Sequence, residues 1–448
     1  MTFLGGAGTV TGSKFLFHHE GTRVLVDCGS FMGLKRLRLL NWEPFPFDPA
    51  ALDAVVLTHA HLDHSGHLPV LVSRGFRGPI YCTKPTAELV RILLFDAARL
   101  QEEDADYANK KGFSKHKPAL PLFTVREVED LLQQLHPIDF CENFTVGSFN
   151  IELRFAGHIL GAASVSIKTP NRSVLVSGDV GRPNDPLIPP PEPPLPHDIL
   201  LLESTYGGRN HSQESFKDVL IQLLQKTFER KSVLMIPSFA VGRAQNILFE
   251  LDQIYRDGLA PQIPVYMNSP MAIEVTRVYD GHCKYHRLTP EECQRIFTLP
   301  TMTQSADQSK ALNQKSGPMV IIAGSGMLTG GRILHHIKAF AHDPDNTILL
   351  AGFQAEGTRG ASLLKGKREL KFHGQIWPIR CQVVHVESIS AHADQNELTS
   401  WVKSGVKPFE RIFLVHGEES SLLAFQQHLK TQLPSEVVIA AMNTMVSL

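Results

Sequence analysis

The chain has 448 residues, and its 44 Lys and Arg nearly balance its 45 Asp and Glu to leave a net charge of −1. That length exceeds one ordinary hydrophobic core, so two or three lobes are expected, and the charge balance gives no global basic signature of a nucleic-acid binder while leaving room for a local positive groove. No apolar run can span a bilayer, Met1-Thr2-Phe3-Leu4-Gly5-Gly6 lacks the regions of a secretory signal, and the six cysteines contain no C-x-x-C pair, so a cytoplasmic protein without a disulfide framework or a cysteine-ligated zinc is expected.

The first strand is short, because Phe3-Leu4 runs at once into Gly5-Gly6-Ala7-Gly8-Thr9-Val10-Thr11-Gly12. This glycine run mimics a nucleotide loop but lacks the Rossmann spacing and context, so it reads as a tight loop. Apolar, β-rich runs from Phe15 to Asp27 and from Ala54 to Thr58 then end in polar residues, as strands feeding loops do. The second belongs to a buried strand expected over Leu52 to Leu57, and it delivers Thr58-His59-Ala60-His61-Leu62-Asp63-His64-Ser65-Gly66.

Three imidazoles and a carboxylate within six positions offer the neutral nitrogen and anionic oxygen donors that borderline ions such as Zn²⁺ prefer. In extended backbone His59 and His61 share a face and can converge on one ion, while Asp63 and His64, just beyond, turn toward a second. Any one of these histidines alone would read as a satisfied core or surface group. The four together read as metal ligands.

A helical pattern covers Thr86 to Tyr107, and the basic stretch Lys110-Lys111-Gly112-Phe113-Ser114-Lys115-His116-Lys117 after it reads as a solvated loop. Strand-like runs at Phe149 to Phe155, Ser173 to Val176 and Ile199 to Leu202 are followed by His158, Asp179 and Glu203. Ligands in sheet proteins gather beyond the carboxyl ends of strands, where distant parts of the chain meet. The run from Ile188 to Pro196 should be polyproline II, a stiff connector packed across the surface.

After Tyr206-Gly207-Gly208 the texture becomes α/β alternation: helix Phe216 to Arg230, strand Val233 to Ile236, helix Val241 to Asp257, strand Val265 to Asn268. Strands Met319 to Ala323 and Ile348 to Ala351, with helix Arg332 to Phe340 between them, continue a second α/β lobe. Gly324-Ser325-Gly326 sits in a strand, glycine loop, helix order that suits an anion at a helix N-terminus. His335, His336 and His385 read as structural. From about Ile379 a shorter pattern returns, and further segments bring in His392 and His416. If these strands rejoin the first sheet, the second lobe is an insertion.

Asp27, the H-A-H-L-D-H block, Gly157-His158, Gly178-Asp179 and Glu203-Ser204-Thr205-Tyr206-Gly207 together resemble the metallo-β-lactamase fold. Ile236-Pro237-Ser238-Phe239-Ala240-Val241-Gly242-Arg243-Ala244-Gln245, Gly324-Ser325-Gly326-Met327, Ser390-Ala391-His392 and Leu414-Val415-His416-Gly417 narrow the resemblance to its β-CASP nuclease branch, over nearly the whole chain. It implies an α/β architecture, an αββα metallo-β-lactamase sandwich with an inserted α/β β-CASP domain. The sandwich would occupy 1–206 and 378–448, and the insertion 207–377. The first histidine block fits hydrolases of thioesters, lactams and phosphodiesters alike. The later blocks resemble RNA-processing members, and His416, typically missing from DNA-repair members, favours RNA. The length resembles the compact bacterial and archaeal RNA endonucleases.

By this resemblance His59, His61 and His158 hold one zinc, Asp63, His64 and His416 a second, and Asp179 bridges them, giving two Zn²⁺ ions per chain and a shared hydroxide. Asp63 counts among the catalytic groups as well as the ligands. His392 would protonate the leaving fragment and Glu203 would hold it protonated and correctly turned, giving 5′-phosphate and 3′-hydroxyl ends. Asp27 would orient a ligand histidine, the alternative being a turn aspartate before Gly29. Ser238, Arg243, Ser325, Gly326 and Arg332 would contact substrate phosphates. The expected function is a zinc-dependent endoribonuclease of RNA processing or decay acting on single-stranded RNA, away from membranes, with a homodimer allowed. The competing readings are a hydrolase of DNA, a thioester or a small phosphodiester, and a noncatalytic RNA-binding scaffold.

Overall fold

The computed structural model describes residues 1–112 and 114–447, and these fall into two units, one within 1–210 and 392–447 and the other within 211–391. The second unit is therefore an insertion in the first.

Two sheets build the first unit. One has six strands in the order Thr2–Gly5, Lys14–His19, Thr22–Val26, Ala54–Val56, Ile80–Thr83, Leu135–Ile138. The other has seven, in the order Glu436–Ile439, Arg411–Val415, Ile199–Glu203, Ser173–Val176, Ala163–Lys168, Phe149–Phe155, Asn143–Val146. The period of two along each strand decides its faces. Val174, Val176, Leu201, Phe413 and Val415 of the second sheet share a core with Phe15, Phe17, Val24, Val26 and Val56 of the first. Leu175, Leu200, Leu202, Ile412 and Leu414 point the other way, onto Leu398, Trp401 and Val402 of helix Gln395–Lys403 and Leu422, Phe425 and Leu429 of helix Glu419–Gln432. Buried on both faces, these strands read in sequence as unbroken apolar runs. Helix Lys84–Lys111 packs against Ile80–Thr83 and Leu135–Ile138, completing the αββα sandwich.

Parallel pairing brings strand ends level. Val26 lies opposite Val56, Val176 opposite Leu201, and Glu203 opposite Val415. Asp27, the Thr58–His64 stretch, Asp179, Glu203 and His416 thus leave their strands at carboxyl ends.

Several elements differ from the sequence expectation. The strand within Leu52 to Leu57 is only Ala54–Val56. Asp63 and His64, expected just beyond the extended stretch, lie on a helical turn, Leu62–Ser65, closed by Ser65 N–H to the His61 carbonyl at 2.9 Å and Gly66 N–H to that of Leu62 at 2.8 Å. The helix expected over Thr86 to Tyr107 runs from Lys84 to Lys111, because Thr83 caps its start and Gly112, with φ +67°, ends it. Lys110 and Lys111 therefore belong to a helix, Ser114 to Lys117 have no regular structure, and Phe113 lies outside the described residues. The proline-rich run lies across the surface, with Glu192 N–H bonded to the Phe155 carbonyl and the Glu192 carbonyl accepting from Trp401 Nε1.

The main sheet of the second unit is parallel, in the order Thr301–Met302, Val265–Asn268, Met319–Ala323, Val233–Pro237, Thr347–Ala351, Gln382–Val386, and the same unit holds a separate antiparallel pair, Glu369–Phe372 with Gln375–Pro378. Met235, Ile321, Ile348 and Leu350 pack with Ile333, Ile337 and Phe340 of helix Ile333–Phe340. The strand that carries His385 pairs with Thr347–Ala351, so the chain returns to the first unit near residue 392 rather than at 378. The six cysteines are free thiols, and among the described residues no helix is long and apolar enough to cross a membrane.

Candidate metal centre

Thr58 and His59, both fully buried, follow the strand Ala54–Val56, and His158 follows the strand Phe149–Phe155. His59 Nε2 and His158 Nε2 stand 3.1 Å and 3.2 Å from His61 Nδ1, and Asp179 Oδ2 stands 3.4 Å and 3.5 Å from the same two Nε2 atoms. Four donors held about 2.0–2.1 Å from a tetrahedral zinc lie about 3.3 Å from one another, so these spacings fit one ion. Asp63, His64 and His416 form a second group. There His64 Nε2 is 3.2 Å from His416 Nε2 and 3.4 Å from Asp179 Oδ1, and His416 Nε2 is 3.5 Å from Asp63 Oδ2. Asp179 turns one oxygen to each group. Its Oδ1 is buried among imidazole nitrogens without a hydrogen-bond donor, the setting a cation satisfies.

The electrostatics point the same way. Burial and the neighbouring His64 hold His59 well below the usual imidazole range, and burial outweighs Asp63 and Asp179 to push His61 down to about 4. Both offer lone pairs at neutral pH. His64 is buried too, but Asp179 and Asp27 overcome that and raise it well above the usual range. Against burial, His416 and His64 hold Asp179 well below the usual carboxylate range and Asp63 at about 2. Without an ion, a proton on His64 thus partly balances carboxylate charge that a divalent cation would balance better.

The tautomers are set from behind. Asp27 accepts from His64 Nδ1 at 2.7 Å, from Thr58 N–H at 2.8 Å and from the Thr58 hydroxyl at 3.0 Å. Since Thr58 Oγ1 donates to Asp27, it accepts from His59 Nδ1, at 3.0 Å. Thr205 Oγ1 lies 3.2 Å from His416 Nδ1. In the neutral rings these contacts favour the proton on Nδ1, which leaves the lone pair on Nε2, the atom each ring turns toward the other donors. Thr58 and Thr205 have no role in the sequence reading; the available signal was a hydroxyl beside a ligand histidine and another in the Glu203 block.

The glycine run near the N-terminus and Ser13 just after it lie against the centre. The Gly6 carbonyl accepts from His416 N–H at 2.6 Å, and Ser13 N–H donates to the Asp63 carbonyl at 2.9 Å.

His392 stands beside the Asp179 donor group. Its Nδ1 is 3.1 Å from Glu203 Oε1 and 3.9 Å from Asp179 Oδ2. Glu203 is fully buried and also accepts from Val180 N–H and Thr205 N–H, each at 3.0 Å. Burial lowers the His392 pKa, but Glu203 and Asp179 outweigh it and raise it to about 9.

The five residues expected to contact phosphate lie in the second unit. Ser238 and the Ser325-Gly326 pair follow paired strands, with Pro237 opposite Ala323 and Ser238 N–H bonded to the Ala323 carbonyl at 2.9 Å. Arg243 Nη1 donates to the Ala351 carbonyl at 2.6 Å. Arg332 spends three N–H groups on Asn268 Oδ1 and the Thr303 and Gln304 carbonyls, at 2.8, 2.9 and 2.6 Å, so most of its fork holds its own unit together. His336 bonds Asn268 and Asn313, and His385 bonds the Gly352 carbonyl, as structural histidines do.

An αββα sandwich with buried His and Asp donors at its strand ends defines a metal-dependent hydrolase. Residues 8–225 match the metallo-beta-lactamase superfamily, 244–363 the Beta-Casp domain, and 376–440 the Zn-dependent metallo-hydrolase RNA specificity domain. The chain is 39% identical over 432 residues to Ribonuclease TTHA0252 of Thermus thermophilus, spanning 94% of this chain and 93% of that protein. It is 33% identical over 446 residues to Transcription termination factor FttA of Methanosarcina mazei, spanning 94% of this chain and 67% of that longer protein. A crystal structure of a protein of unknown function from Enterococcus faecalis V583 aligns over 99% of this chain and 98% of its own with a TM-score of 0.55; at 14% identity it shares the fold alone. This chain belongs to the β-CASP family of metallo-β-lactamase-fold hydrolases.

Proposed function

We propose that the protein is an endoribonuclease that binds two zinc ions and hydrolyses single-stranded RNA in the cytoplasm, in RNA processing or decay, leaving 5′-phosphate and 3′-hydroxyl ends. The observation that carries this reading is His392, held 3.1 Å from buried Glu203 beside the seven-donor cluster of His59, His61, His158, Asp179, Asp63, His64 and His416. The 39% identity to a ribonuclease over nearly the full length of both chains supports RNA as substrate.

Zinc, when bound by these donors, supplies an activated water and neutralises charge on the phosphate. The chain does the rest. Asp27, Thr58 and Thr205 keep the His64, His59 and His416 lone pairs aimed inward. Asp63 and Asp179 balance the cationic charge. Glu203 holds the proton on His392, which delivers it to the departing 3′-oxygen; such positioned proton transfer contributes about 10²–10⁴-fold. Ser238, Ser325, Gly326 and Arg243 engage substrate phosphates, and Arg332 orders the loops around them.

The test is elemental analysis of the purified protein together with incubation on labelled single-stranded RNA, single-stranded DNA and a thioester, with and without a strong chelator. Two zinc ions and chelator-sensitive RNA cleavage are expected. A fully zinc-loaded protein that never cuts RNA overturns the proposal. His392→Ala should keep its metal and lose most cleavage, whereas Asp179→Ala should lose metal as well; the reverse pattern overturns the assignment of roles.

A further inference from the structure

Helix Lys35–Leu40 has no buried residue. A single short helical turn of that kind is marginal unless something fixes its ends. Both ends are fixed. The Phe31 N–H and carbonyl bond the Asn41 side chain at 2.8 Å each, and the Asn41 carbonyl faces His67 Nε2 at 3.0 Å. At the root, Cys28 N–H bonds the His64 carbonyl and Ser30 N–H that of Leu62, both at 2.8 Å. Gly29 lies so close to the same turn that a Cβ would stand 1.6 Å from the Asp63 carbonyl oxygen. The segment is thereby tied to the turn Leu62–Ser65, which carries Asp63 and His64.

What this tethered segment presents is unusual for a monomer surface. Met32, Leu34, Leu39 and Trp42 are 37%, 46%, 52% and 55% exposed. Among them stand Lys35, Arg36 and Arg38, all exposed, with no acidic residue from Phe31 to Trp42 and, among the described residues, no ion pair to any of the three. Three cations in four positions are a dense positive patch in a chain whose net charge is −1. Cations interleaved with an exposed aromatic are the means by which proteins hold single-stranded nucleic acid without reading its sequence.

We infer that residues 32–42 form a platform for single-stranded RNA, on which Lys35, Arg36 and Arg38 bind phosphates and Trp42 stacks on a base. The inference rests on the proposed endoribonuclease reading and adds the surface that holds the strand beside the metal-bearing turn. Charge complementarity and the tether to Asp63 and His64 favour this occupant over a lipid surface or a second copy of the chain.

The test measures fluorescence anisotropy of a labelled single-stranded oligoribonucleotide at several KCl concentrations, using the zinc-loaded His392→Ala protein as the binding parent. Adding K35Q/R36Q/R38Q should weaken binding more than tenfold and flatten the logarithmic salt dependence by about 2, since each phosphate contact contributes about 0.7 for single strands. W42A should weaken binding about 5–150-fold, with the salt slope kept and W42F restoring most of the affinity. K110Q/K111Q, a control at an exposed basic helix end, should leave affinity within twofold. Zinc content and melting temperature check that each variant is folded. Unchanged affinity and slope in the triple variant, with a parent that binds RNA, overturns the platform alone. A parent that binds no RNA, with a wild type that cuts none, overturns the endoribonuclease reading and the platform with it. Loss of vesicle binding or of a dimer, without an effect on RNA, also overturns it.

Discussion

Asp27→Asn isolates the tautomer control at the metal centre. Asp27 has φ +59°, a left-handed conformation that Asn adopts readily, so the substitution changes chemistry with little change in backbone strain. The side-chain oxygen can still accept from Thr58 N–H at the 2.8 Å position, which places the new NH₂ where Oδ2 now receives His64 Nδ1 at 2.7 Å and the Thr58 hydroxyl at 3.0 Å. Two donors then face one another. His64 relieves the clash by moving its proton to Nε2, the atom that faces His416 and Asp179, and so loses its lone pair for the ion. Losing such an outer partner costs about 10–100-fold in metal affinity, or about 1.4–2.8 kcal/mol. The loss should be direct at the Asp63, His64 and His416 site, and the Thr58 hydroxyl, deprived of its acceptor on Asp27, should pass a weaker effect to His59. Dialysis against graded chelator followed by elemental analysis should therefore give a variant that releases zinc at lower chelator concentration than the parent. Equal retention by both, in a protein of unchanged melting temperature, refutes the assignment of Asp27 as the group that sets the His64 tautomer.

Thr58→Val removes the acceptor for His59 Nδ1, so the other site should weaken by about tenfold, read by the same chelator series. Glu203→Gln removes an attraction that raises His392; because His392 acts while protonated and fails as pH rises through its pKa, the alkaline limb of kcat/KM should move to lower pH by about 1 unit or more, and an unmoved limb in an active variant refutes the pairing. Gly29→Ala forces a Cβ to within 1.6 Å of the Asp63 carbonyl oxygen, so metal content and melting temperature should fall together. Leu201→Ala, at a fully buried strand position in the shared core, should cost about 2–5 kcal/mol in urea unfolding.

The fold class was legible because its strands are apolar runs buried on both faces, each followed at once by a polar residue able to do chemistry. His59, His61, His158 and Asp179 stand out for that reason, and the structure gathers them. Less local features were hidden. Whether Thr58 and Thr205 serve ligand histidines depends on rotamers that no spacing encodes. The strand Gln382–Val386 resembles the returning sandwich strands in composition, and only its pairing with Thr347–Ala351 assigns it to the second unit. Lys35–Leu40 reads Lys-Arg-Leu-Arg-Leu-Leu, a run whose leucines suggest a packed face, yet none of its residues is buried. The commitment of the Arg332 guanidinium to its own loops was equally invisible, since an arginine at a helix start looks the same with its donors spent or open.

The contact between His64 and His416 spans 352 positions of the chain. During synthesis at about 5–20 residues per second, His64 leaves the ribosome about 20–70 s before its partner exists. His59, His61, His158 and Asp179 are all made well before that moment, so of the two donor groups the one that needs His416 is completed last, and only after the whole inserted unit 211–391 has been made.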